Sequence, residues 1–164
     1  MVETIVEAIV DFFQNDFPPQ LVAFLVSLCP VLEIRGGMIA ARLLELDFIQ
    51  AFIICYIGNM IPIPFILLFI RKIFKWMRNF KHFSKIVDKL EARSEKKKDT
   101  IVKYQEWGLL VFVALPLPGT GGWTGALIAA LMDLRFKKCL PIIALGVFIA
   151  GLIMSLITYG IFQI

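Results

Sequence analysis

Polar and apolar positions fall into blocks along this chain, and the spacing within each block predicts helices. Residues 1–16 place Val2, Ile5, Val6, Ile9, Phe12 and Phe13 three or four apart, opposite Glu3, Glu7 and Asp11. Such a stripe predicts an amphipathic helix lying on a surface. An apolar run then starts at Phe17 and meets Pro30. As a helix it is well short of the roughly 30 Å of hydrocarbon in a bilayer. A second short helix is expected over VLEIRGGMIAARLLEL, which carries Glu33, Arg35 and Arg42. Residues 48–70 have no charge and form the clearest single span of the first half.

From Arg71 to Lys98 eleven Lys or Arg stand against three acids. Ile73, Trp76, Phe80, Phe83, Val87 and Leu90 still make one stripe there, as two interleaved seven-residue repeats. The expected element is a long basic helix on the anionic cytoplasmic leaflet, or a short coiled coil with a partner. The second half repeats the plan of the first. Residues 107–115 are apolar, PLPGTGG interrupts, WTGALIAALM resumes, and Cys139–Ile164 is a final uncharged span. A shift of 86 places Pro30 on Pro116, Gly36 on Gly122, Ala40 on Ala126 and Asp47 on Asp133. Asp47 and Asp133 are read as interfacial residues closing the two short helices.

Composition fixes the class. With 59% hydrophobic side chains and a mean hydropathy of +0.82, the chain is too apolar for one soluble domain of this size. It reads as an integral membrane protein. The net charge of +4 does not point to nucleic acid, because the basic residues crowd into one segment between apolar blocks. Cys29, Cys55 and Cys139 show no disulfide or metal spacing and read as packing residues. The lone His82 has no second ligand near it in sequence and reads as solvated. The acidic first sixteen residues are the reverse of a signal peptide's basic start.

Charge also separates two topologies. If each broken stretch crosses the bilayer, Arg135, Lys137 and Lys138 fall outside and the acidic N-terminus inside, against the positive-inside tendency. If each is a re-entrant hairpin, both placements agree with it. The preferred fold is therefore an all-α membrane protein of two inverted repeats, each a re-entrant helical hairpin plus a transmembrane helix, with amphipathic surface helices. It forms one membrane domain over 1–164, with 1–16 the amphipathic helix, 17–70 the first repeat, 71–100 the basic cytoplasmic helix and 101–164 the second repeat.

Non-helical backbone at membrane depth is stable only where protein or a water-filled cavity satisfies its polar groups. The PLPGTGG break should therefore line a cavity. The half-helix beginning near Gly121 would turn its first amides into that cavity as an anion site. Gly119, Gly121 and Gly122 admit close approach, Thr120 and Thr124 can cap or bind, and Trp123 can stack or seal. In the first half Glu33 and Arg35 lie between apolar runs, where charge is costly and so paired or functional. Arg35, with Arg42, is expected to hold an anionic headgroup, and Glu33 to exchange a proton; structural pairing of Glu33 with either arginine is the alternative. Asn59, before Pro62 and Pro64, adds a polar lining or marks a kink.

VLEIRGGMIAA and LPLPGTGGWTGALIAA resemble the signatures of the putative small multidrug export protein family of prokaryotic membrane proteins. The resemblance covers most of 20–160 and is similar in plan to the wider DedA superfamily, with its paired re-entrant hairpins and lipid-phosphate translocases. It implies site residues Glu33, Arg35, Gly36 and Gly37 in the first hairpin. In the second it implies Pro116, Pro118, Gly119, Thr120, Gly121, Trp123 and Thr124. The DedA arginine close to the second break is absent, and Arg135 lies too far along to replace it. A multi-pass protein of a prokaryotic cytoplasmic membrane is implied.

The expected activity is transport of an anionic amphiphile, such as the lipid phosphate undecaprenyl phosphate, coupled to protons or sodium. Membrane lipids and a possible homodimer are the expected partners, with no cofactor and no nucleic acid. Export of cationic drugs with Glu33 as exchange site is the rival, and a non-transporting scaffold built on the basic helix a third reading. An enzyme is not expected, since no paired carboxylates, Ser with a base, or His, Cys and Asp cluster stands in the sequence.

Overall fold

A computed structural model describes residues 2–13, 15–77, 107–117, 119–132 and 134–160. His82, Pro118, Asp133 and the basic stripe beyond Met77 lie outside the described residues. All regular structure within them is helical: α1 (Val2–Phe13), α2 (Pro19–Leu28), α3 (Glu33–Leu43), α4 (Phe48–Met60), α5 (Pro62–Met77), α6 (residues 107–114), α7 (Gly122–Leu131) and α8 (Phe136–Ser155). A π turn, Leu156–Gly160, continues α8.

Two stretches are long and apolar enough to cross a membrane, Phe48–Ile70 and Phe136–Gly160. The first is broken at Ile61. Pro62 and Pro64 have no N–H, so the carbonyls of Gly58 and Met60 lose their usual helical partners and α4 passes into α5 with a break. Nothing at 70–71 stops the helix, and α5 continues through Arg71 to Met77. The apolar helices α2 and α7 have ten residues each, about 15 Å at 1.5 Å per residue. Neither reaches across a bilayer. Asp47 does not close the helix before it but caps α4, its side chain accepting from Ile49 N at 2.9 Å.

The core forms around α3. Its Ile34, Met38 and Ala41 are buried with Ala126 and Ala129 of α7 and Val147 and Ala150 of α8. Small residues let these helices approach closely, as between membrane helices generally. Gly37 is the clearest case, because a Cβ there would collide with Ser27 of α2 and meet Cys55 Sγ of α4 at 3.0 Å. A second cluster joins Val6 and Val10 of α1 to Val22, Val26, Leu32 and Ala40. Helix α1 thus turns a narrower face inward than its sequence stripe suggests. Ile5, Phe12 and Phe13 of that stripe are exposed, where an amphipathic helix at the bilayer surface would place them.

Shifted by 86 residues, α6 falls within α2, α7 overlaps α3, and α8 overlaps α4 and α5. Helix α3 starts three residues earlier than its counterpart, and its first residue, Glu33, lies in the left-handed region, at φ +53°. A non-glycine residue there is strained by about 1–3 kcal/mol.

Candidate functional site

The start of α3 meets the break between α6 and α7. Helix α6 ends at 114 and α7 begins at Gly122. Such a break leaves carbonyls without partners at the end of α6 and amides without partners at the start of α7. Two side chains of α3 supply what each end lacks.

Glu33 serves the start of α7. Its Oε2 accepts from Gly122 N at 3.0 Å and its Oε1 from Trp123 N at 3.3 Å. A carboxylate at a helix N-terminus complements both the free amides and the positive end of the dipole. The close approach depends on Gly121, at φ +129° and ψ −172°, where a Cβ would collide with the Glu33 carboxylate. Glu33 is only 4% exposed. Burial favours its neutral acid, while Arg35 and the two amides favour its anion, so opposed influences act on one proton.

Arg35 serves the other end. Nη1 donates to Leu117 O, and Nη2 donates to Leu115 O and Thr120 Oγ1, both at 2.9 Å. Thr120 turns its own hydroxyl toward Leu115 O at 2.7 Å and Leu117 O at 2.8 Å. The planar guanidinium can satisfy several acceptors at once, which a single ammonium cannot. Its charge also suits the negative end of α6.

Beside this junction lies a cavity of about 620 Å³, lined by Glu3, Glu33, Arg35, Pro116, Thr120 and Thr124 among others. On another side of the first turn of α7 the Trp123 side chain borders an apolar groove of about 510 Å³ with Leu25, Leu28, Ile61 and Phe65. Pro30 borders both spaces. Arg35 Nε and Trp123 Nε1 are buried donors without a protein partner.

A family model described as "Putative small multi-drug export protein" matches residues 33–153. The chain belongs to that family. The match opens at Glu33 and contains the whole junction between α3, the break and α7. With two helices able to span a bilayer, family membership makes the chain a membrane exporter in broad class. No curated protein and no solved structure matches it.

Of the residues expected to form the site, the structure gathers Glu33, Arg35, Pro116, Gly119, Thr120, Gly121, Gly122, Trp123 and Thr124 around the junction. Their roles differ from the expectation in two respects. The α7 amides predicted to face the cavity as an anion site are already held by Glu33. Arg35, predicted to grip a headgroup, holds the backbone of the break. Arg42 is not part of the junction: it is exposed near the far end of α3, its guanidinium 5.4 Å from the centre of the Tyr159 ring. Gly36 and Gly37 are buried, and Gly37 serves helix packing.

Sequence reasoning missed Glu3, which α1 brings to the cavity. Its acidic stripe marked a polar face but gave no sign of what that face would border. Among the described residues no three His, Cys, Asp or Glu side chains come together as a metal site would need.

Proposed function

We propose that the chain is a proton-coupled translocase for an anionic amphiphile of the lipid-phosphate class, with Glu33 holding the anion position at α7 until it is protonated. The observation that carries this reading is the Glu33 carboxylate on the amides of Gly122 and Trp123. A buried helix start that seats a carboxylate has the donors and the dipole to seat a phosphate oxygen. Two further buried donors without partners, Arg35 Nε and Trp123 Nε1, add to that preference.

In this mechanism a proton neutralises Glu33 and weakens its bonds to the amides. An anionic headgroup takes its place, with its apolar chain along the groove beside Trp123. Loss of the proton restores the carboxylate, which competes for the same amides and displaces the headgroup. Proton and anion therefore travel in the same direction. The short helices α2 and α7 and the positive charges at 135–138 support a re-entrant arrangement of the broken segments in two inverted halves. DedA-like lipid translocation is the activity this arrangement fits.

A second reading is export of a cationic amphiphile in exchange for a proton on Glu33. Glu3 at the same cavity favours it, as does the family's description. The two readings predict opposite coupling. Proteoliposomes under an imposed pH gradient, loaded in turn with a labelled polyprenyl phosphate and a fluorescent cation, separate them. Phosphate movement down the proton gradient, lost in Glu33→Gln and Arg35→Ala, supports the first. Cation movement against the proton gradient with no phosphate movement sinks it.

A further inference from the structure

Asn59 is the most completely unpartnered polar side chain among the described residues. It is 0% exposed, yet both its amide oxygen and its amide nitrogen lack a hydrogen-bond partner. It lies in the last turn of α4 and faces Gly122: a Cβ on that glycine would stand 3.4 Å from Asn59 Nδ2. The peptide N–H of the same Gly122 is the one held by Glu33. Asn59 and Glu33 thus reach the first residue of α7 from two different helices.

Their chemistry matches in one protonation state only. A carboxylate offers acceptors alone, which leaves the Asn59 carbonyl unanswered. A carboxylic acid offers one O–H donor and one carbonyl acceptor, the complement of a side-chain amide. We propose that Asn59 is the seat of the protonated Glu33 carboxyl, a positioning residue that receives the neutral acid as it leaves the α7 amides. The inference rests on the reading of Glu33 as a proton carrier. One proton from solution forms the O–H bond on Glu33. That O–H donates to Asn59 Oδ1, and Asn59 Nδ2 donates to the remaining carboxyl oxygen. The amides of Gly122 and Trp123 are then open to an incoming anion.

The other titratable groups near Glu33 come from α1, the end of α2, α3 and α4. Arg35 stands on α3 itself, and Glu3 of α1 borders the same cavity. Cys29 follows α2, its carbonyl accepting from Glu33 N at 2.9 Å, and Cys55 of α4 lies behind Gly37. The first turn of α7 is Gly, Trp, Thr and Gly, and Val147 and Met154 face the junction from α8, with no ionisable side chain among them. Arg35 and Glu3 are thus the charges that bear on where Glu33 titrates, and both are retained in the variants below.

Infrared difference spectra of the full chain in lipid nanodiscs, titrated with pH, test the assignment. The wild type should show the carbonyl stretch of a protonated carboxyl that is absent from Glu33→Gln. In Asn59→Leu that band should move to the frequency of a more weakly hydrogen-bonded acid. Its midpoint should fall by about one pH unit, a tenfold loss of proton affinity, because a bond to the neutral form has been removed. Asn59→Thr, which keeps one hydroxyl, should fall between the two. A Glu33-dependent band whose frequency and midpoint are the same in wild type, Asn59→Leu and Asn59→Thr overturns the assignment alone. Absence of any Glu33-dependent band overturns it together with the proton-carrier reading.

Discussion

Glu33 and Arg35 stand two residues apart on α3 and hold opposite ends of one break: the carboxylate takes the amides that open α7, and the guanidinium takes carbonyls that α6 leaves behind. Each charge meets the helix end of opposite sign. The first half of the chain thereby completes the backbone of the second. That arrangement makes a helix break tolerable in an apolar setting, and it also means that any change of charge on Glu33 reaches α7 directly.

Gly121 and Gly119 should respond differently to alanine. Gly121 occupies a backbone region essentially reserved for glycine, and a Cβ there collides with Glu33. At Gly119, φ is +77° but a Cβ meets nothing within 4 Å. Thermal unfolding in detergent should show a loss of about 1 kcal/mol for Gly119→Ala, the backbone term alone. Gly121→Ala should lose about 3 kcal/mol, since backbone strain and displacement of the carboxylate add. Equal losses would mean that the glycine does not make room for Glu33.

Arg35→Lys should not preserve the junction. A lysine ammonium keeps the charge but cannot reach Leu115 O, Leu117 O and Thr120 Oγ1 with the guanidinium's planar geometry. At least one carbonyl would be left unsatisfied, at about 1–3 kcal/mol. Transport by Arg35→Lys should be closer to that of Arg35→Ala than to wild type. Near-normal transport and stability in Arg35→Lys would show that charge alone is required.

The break, the helix start one residue from where it was expected, the amphipathic first helix and the two spans were legible because each is encoded locally, in Pro and Gly placement or in periodicity. The junction was not. Nothing in the spacing of Glu33 within LEIRGG says that its carboxylate will meet Gly122, 89 residues along; that contact exists only once α3 and α7 pack in the same core. Family resemblance marked Gly37 as a site residue, but its role is set by Ser27 and Cys55, which no local pattern connects to it. Arg42 was expected to join Arg35 because it shares its charge and helix, yet it lies seven residues further on, two turns away, beside Tyr159.

Gly37→Ala distinguishes packing from binding. The added methyl would run into Ser27 and Cys55, in a region where three helices converge. Overpacking of this kind costs about 1–3 kcal/mol. Unfolding temperature should therefore fall, while the concentration of substrate giving half-maximal transport by the folded fraction stays the same. A selective rise in that concentration, with stability intact, would return Gly37 to the site.

Asn59→Leu should make the protein more stable and less active. Leucine keeps the branched four-atom skeleton of asparagine, though its two methyl groups are bulkier, and has no polar atom, so it removes two unpaired groups from a position that is 0% exposed. Burying an unpaired polar group costs about 1–3 kcal/mol, and its replacement should recover much of that as a higher unfolding temperature. A residue kept only for packing would give nothing in exchange for that cost. If Asn59 instead receives the protonated Glu33 carboxyl, the stabilised variant should lose gradient-driven transport, because the neutral acid has nowhere to go and stays against the α7 amides. The measurement pairs thermal unfolding with transport in proteoliposomes on the same preparations. Higher stability with full transport would make Asn59 dispensable, and lower stability in both Asn59→Leu and the smaller Asn59→Ala would mean that its amide already has a partner in the folded membrane protein.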